Sequence, residues 1–150
     1  MTIETEVKSL RKLQMFSNLD VAKLKLVAMI SDRVTFHAGE AIFRRGDAPD
    51  AAYIVLDGSV RIAKDEDYPD SGFEKSGVML LGEVGILCGR RRSVTIVATS
   101  TVTALRIERE DFTRLIRETP EFALAVMHQL AEQLDAGTQF VAEHMAQIAR

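Results

Sequence analysis

Two short segments of this chain carry groups able to hold a charged ligand. Gly82-Glu83-Val84-Gly85-Ile86-Leu87 places one carboxylate between two glycines, and Arg90-Arg91-Arg92 follows it and runs into Ser93-Val94-Thr95-Ile96. Glycine turns tightly and lets a ligand approach the backbone with no Cβ in the way. If residues 83 to 87 form one helical turn, its free N–H groups suit an anion. Arg92 supplies a planar fork that can hold a phosphate through two parallel hydrogen bonds. An ionised Glu83 only accepts hydrogen bonds, so it must face a donor such as a sugar hydroxyl. A ribose carboxylate and a phosphate arginine together describe a nucleotide. The plainer alternative is an ordinary glycine turn beside a solvated basic face.

The surrounding elements follow from periodicity. Val7, Leu10 and Leu13 among charges predict a short amphipathic helix within 4–15. Ser17-Asn18-Leu19-Asp20 offers several N-caps for a second helix, with Val21, Leu24, Val27 and Ala28 on its apolar face. Strand character begins near Arg33 with Val34-Thr35-Phe36. It continues at Ile42-Phe43 and in the buried run Tyr53-Ile54-Val55-Leu56. Asp57-Gly58 predicts a hairpin turn with Val60-Arg61-Ile62 as the return strand. Residues 93–98 and 102–107 read as two further strands, and short strands divided by glycine turns predict a β-sandwich or barrel. Asp111 to Ile116 opens a short helix, and Pro120 starts a long one, running from Glu121 to the chain end. Met127, Leu130, Leu134, Gly137, Val141 and Ile148 follow a coiled-coil-like spacing up to Val141. Two readings stand side by side: a dimer seam, or a helix lying on its own sandwich. Asp65 to Gly72 is acidic and turn-rich, an exposed tip without the ligand spacing of a calcium loop.

Leu81-Gly82-Glu83-Val84-Gly85-Ile86 and Arg92-Ser93-Val94-Thr95-Ile96 closely resemble the phosphate-binding cassette of cyclic nucleotide-binding domains. Ala38 to Phe43, Gly46-Asp47 and Tyr53 to Val60 resemble the strands of the same family. The resemblance implies a mainly β fold with helices. Its core is a jelly-roll sandwich (a double-stranded β-helix) over 33–108, between N-terminal helices in 1–32 and C-terminal helices in 109–150. It implies that Arg92 and the N–H groups of Gly85 and Ser93 hold a cyclic phosphate. Gly82 and Glu83 would hold the ribose 2′-hydroxyl, with Val84 and Val94 as further cassette contacts. The last helix, near Thr138, would cap the base and dimerise. The implied ligand is cAMP or cGMP, with cAMP favoured and no further cofactor.

Composition sets outer bounds. At 150 residues, 47% hydrophobic and 27% charged, the chain suits one soluble domain with a real core. A formal net charge of −3 and a pI near 5.6 argue against nucleic acid as its direct partner. The single Cys88 excludes an internal disulfide and fits a reducing compartment. No apolar run reaches the roughly 20 residues of a membrane span, and Met1-Thr2-Ile3-Glu4-Thr5-Glu6 lacks the basic and apolar regions of a signal peptide. A cytoplasmic location is expected. His37, His128 and His144 are scattered, and His128 with Glu132 reads as a surface pair rather than a metal site. No Ser-His-Asp or Cys-His set is present, so the expectation is a sensor module without catalytic residues, acting on a downstream effector. The runner-up is the sensor part of a transcription regulator of the catabolite-activator type. A ligand-free dimerisation scaffold is a third reading.

Overall fold

A computed structural model describes residues 2–63 and 72–145. The acidic segment 65–71 and Ile148 lie outside the described residues.

The helices form where caps and apolar stripes coincide. Helix α1 (Ile3–Arg11) starts at Thr2, whose hydroxyl accepts from the Thr5 N–H, and it buries Val7 and Leu10. A 3-10 turn, Gln14–Phe16, links it to α2 (Val21–Ile30). Asp20 is the cap selected there, accepting from the Lys23 N–H at 2.9 Å. Leu24, Val27 and Ala28 are buried as expected, whereas Val21 is exposed.

Eight strands follow: β1 (Asp32–Phe36), β2 (Ala41–Phe43), β3 (Ala51–Asp57), β4 (Ser59–Ala63), β5 (Phe73–Ser76), β6 (Met79–Leu81), β7 (Thr95–Ala98) and β8 (Val102–Glu108). They make two antiparallel four-stranded sheets, ordered β1-β8-β3-β6 and β2-β7-β4-β5. Strands adjacent in sequence alternate between the sheets, except that β4 and β5 pair with each other in one sheet; this is the jelly-roll arrangement. The hairpin read at Asp57-Gly58 is therefore wrong. Both edges of β3 are already filled, by β8 and β6, so the chain cannot fold back on it and crosses to the other sheet. Gly58 turns that corner with φ +110°, and a Cβ there would lie 2.5 Å from the Thr101 carbonyl oxygen.

Apolar side chains form two layers. Between the sheets lie Phe43, Tyr53, Val55, Val60, Leu81 and Ile96. On the outer face of the β3-containing sheet, Ile54, Leu105 and Ile107 meet Leu10, Phe16 and Leu24. Residues 51–55 of β3 are buried on both faces, as their continuous apolar run predicts. Two helices follow β8, α4 (Arg109–Glu118) and α5 (Pro120–Glu143), with Pro120 in the first turn of α5. Phe122 anchors α5, stacking on Phe16 and meeting Phe112 edge-on, each at 5.7 Å between ring centroids. Residues 131–143 are all exposed, and Leu134 is 73% exposed. The helix thus packs on its own sandwich through its first half and buries no residue through the second.

Candidate functional site

Residues 83–87 do coil, as part of the six-residue helix α3 (Glu83–Cys88). Gly82 precedes it in the left-handed region at φ +84°. The N–H groups of the first turn have no acceptor within so short a helix. Residues 90–94 then return as irregular chain, pinned by the loop between β2 and β3. The Arg92 N–H donates to the Asp47 carbonyl, and the Gly46 N–H donates to the Arg92 carbonyl, each at 2.8 Å. The glycines are required by the close approach of Arg92. A Cβ on Gly82 would lie 3.0 Å from Arg92 Nη1, and one on Gly85 would lie 3.1 Å from Pro49 and 3.2 Å from Arg92 Nη1.

Arg92 is buried. Nη1 donates to the Gly82 carbonyl at 2.6 Å, and Nη2 donates to the Ala51 carbonyl. The guanidinium lies 4.1 Å from the Phe43 ring centroid, and Asp50 stands 4.0 Å away. Guanidinium carries five N–H donors, and the two carbonyls take two of them. Nε is a buried side-chain nitrogen with no hydrogen-bond partner among the described residues. Burial pulls the guanidinium pKa below its usual range, with Asp50 the strongest opposing group.

Glu83 is only 3% exposed. Burial raises its pKa, while its own backbone N–H, Lys75 and Arg92 pull the other way. This shift has a measurable consequence. Above the ordinary value of 4.5 the unfolded chain releases this proton before the folded one does, so Glu83 costs stability as pH rises. The ligand-free wild type should therefore lose stability from pH 4.5 upward relative to Glu83→Gln. Urea midpoints of both proteins across that range check it; parallel curves would refute the assignment.

These groups share one cavity of about 1110 Å³ between the cassette, β5, β6 and α5. Gly82, Glu83, Val84, Gly85, Arg92, Ser93 and Val94 all line it, so the seven cassette residues expected at the site are brought together. Thr138 is not among the lining residues: its hydroxyl donates to the Leu134 carbonyl at 2.9 Å. The face that α5 presents is instead Gln129, Gln133, Ala136, Gly137 and Phe140. Their spacing of three and four residues marks one helical stripe, a signal that periodicity alone offered. Phe73 and Lys75 of β5, Phe43 beneath the guanidinium and the Ala51 carbonyl were not foreseen either.

No cluster of three or more His, Cys, Asp or Glu able to hold a metal occurs among the described residues. His128 and Glu132 form an exposed pair at 3.1 Å, in line with the surface reading. No helix among the described residues is long and apolar enough to cross a membrane.

Residues 33–119 match the cyclic nucleotide-binding domain family. A cyclic nucleotide-gated potassium channel of Mesorhizobium japonicum is 30% identical over 109 residues, covering 73% of this chain and 29% of the channel. The catabolite activator protein of Thermus thermophilus superposes with a TM-score of 0.71 at 28% identity, over 85% of this chain and 61% of that one. The regulatory subunit of a cAMP-independent protein kinase A from Trypanosoma brucei gives a TM-score of 0.73 at 21% identity, over 87% and 46%. The chain spans about a third or less of the length of several curated relatives that it matches.

Proposed function

Because the chain belongs to the cyclic nucleotide-binding domain family, we propose that it is a regulatory sensor that binds cAMP in preference to cGMP and relays binding through α5. The observation that carries this reading is Arg92, whose buried Nε has no partner among the described residues and which lines the same cavity as Glu83. A buried donor without an acceptor is costly, and an anionic oxygen relieves that cost. In this reading Arg92, with the N–H groups of Gly85 and Ser93, holds the cyclic phosphate. Gly82 and Glu83 hold the ribose hydroxyl, with Val84 and Val94 as neighbouring cassette contacts. Phe140 stacks on the base, in place of a cap at Thr138. The amides of Gln129 and Gln133 favour adenine, since a glutamine amide matches its paired donor and acceptor. The module binds its ligand and leaves it chemically unchanged, because Arg92 is a poor base and, among the described residues, no His or Asp lines the cavity to activate Cys88.

Calorimetry with both cyclic nucleotides on one sample tests this. Tighter binding of cAMP supports it, tighter binding of cGMP reverses the preference, and no binding of either leaves the ligand-free scaffold. The test matters because one structural relative is described as cAMP-independent. A second reading, the sensor of a DNA-binding regulator acting in the cytoplasm, is favoured by the 28% identity to a catabolite activator protein. A gene product that continues past Arg150 into a DNA-binding domain would decide for it.

The relay rests on α5, whose exposed second half carries Gln133, Ala136, Gly137 and Phe140 on the cavity wall. A helix that contacts ligand only when closed shifts its population on binding. Added cyclic nucleotide should slow hydrogen exchange across 134–145 more than in the strands. Leu134→Asp should weaken any self-association seen by sedimentation, because it places a charge in an apolar seam. Unchanged exchange in α5 would make the helix a spacer.

A further inference from the structure

On the side of the molecule formed by the N-terminal helices, α1 and α2 border a groove of about 570 Å³. Val7 forms its floor at 8% exposure, and Val21 stands on the wall. Lys8, Arg11, Lys12 and Lys25 surround it, with Glu4 as the one acidic group. None of these four cations forms an ion pair among the described residues. Nearby cations do: Lys23 meets Glu121 at 2.7 Å, and Arg33 meets Glu6 at 3.6 Å. Four unpaired cations thus gather at one place on a chain of net charge −3. Apolar surface continues from it, since Val21, Lys25 and Met29 follow at four-residue steps along α2 and Met29 is 66% exposed.

We propose that this groove is a docking site for an acidic amphipathic helix of a partner protein. Such a helix inserts an apolar side chain over Val7 and Val21 and sets carboxylates against Lys8, Arg11, Lys12 and Lys25. The long basic side chains extend their apolar stems along the groove while keeping their charges in water. A flat anionic membrane fits less well, because the apolar floor is recessed at Val7 and out of reach of a plane. Along α1 the groove runs from Glu4 to Arg11 and Lys12. The partner's carboxylates therefore concentrate at the end of the groove nearest Arg11, and its residue facing Glu4 is neutral or basic.

The test is selection from a displayed library of short, helix-stabilised peptides on the purified chain. Counter-selection uses a Lys8→Gln, Arg11→Gln, Lys25→Gln triple variant. Glutamine is chosen because glutamate would also oppose the dipole at the C-terminal end of α1 and could unfold it. Enriched peptides should carry Asp or Glu at helical spacing around a Leu-like residue. The triple variant should bind them roughly tenfold more weakly, as expected for three exposed ion pairs. Added salt should weaken binding as well. Amide shifts on titration should centre on residues 7–12 and 21–25, and Arg92→Ala should leave peptide affinity unchanged. Four outcomes would overturn the proposal: no enrichment, equal binding to the variant, shifts centred on α5, or binding only to phosphatidylserine-containing vesicles.

Discussion

Arg92→Ala should weaken cyclic nucleotide binding by roughly 30-fold or more. Removing one partner of a buried, hydrogen-bonded charge pair typically costs about 2–5 kcal/mol, and each 1.4 kcal/mol is tenfold in affinity. The side chain already holds the Gly82 and Ala51 carbonyls and stacks on Phe43. Its truncation therefore also leaves two acceptors unmet and should lower the melting temperature of the ligand-free protein. Arg92→Lys tests geometry apart from charge. An ammonium has three donors but no planar fork, so it cannot span both carbonyls and still face a phosphate. Binding should fall with Lys too, though less than with Ala. Arg90→Ala should change little, because Arg90 is exposed and makes no ion pair among the described residues. Calorimetry on the four proteins checks this, and equal losses at Arg90 and Arg92 would replace the built site by a diffuse basic patch.

The second large effect is expected from the ligand rather than the protein. The 2′-deoxy form of the cyclic nucleotide should bind wild type on the order of 10- to 100-fold more weakly than the parent. A buried carboxylate left without its donor costs about 1–3 kcal/mol or more. Glu83 meets the condition for that penalty, being 3% exposed at the start of α3. Glu83→Ala should bind both ligands weakly and with nearly equal affinity. Persistence of the wild-type ratio in Glu83→Ala would remove Glu83 from the ribose site. The measurement also separates ribose recognition from phosphate recognition, since Arg92→Ala should weaken both ligands by a similar factor.

Much of this protein was readable without its tertiary structure, because the relevant physics is local. The Gly82-Glu83-Val84-Gly85 turn and Arg92 occupy one short stretch of chain, and the seven cassette positions meet at one cavity. The helices are legible for the same reason: Asp20 caps α2, Pro120 opens α5, and Leu10, Leu24 and Phe112 fall on buried faces. A cap, a stripe and a glycine turn are each set by residues within a few positions of one another.

Long-range pairing decided the rest. Asp57-Gly58 has the local chemistry of a hairpin, but β8 and β6 occupy both edges of β3, so β4 pairs with β7 and β5 instead. The partners of Arg92 include Ala51, far back in the sequence, and the ring of Phe43. Spacing around Arg92 carries no information about either. On α5 the composition offers Thr138 and Phe140 equally. Phe122 fixes the rotation of the helix through its packing on Phe16 and Phe112, and that rotation turns Phe140 toward the cavity. Local propensities determine which elements form and where each one begins. Which strands become neighbours, and which face of a helix meets the site, depends on contacts between residues far apart in the chain.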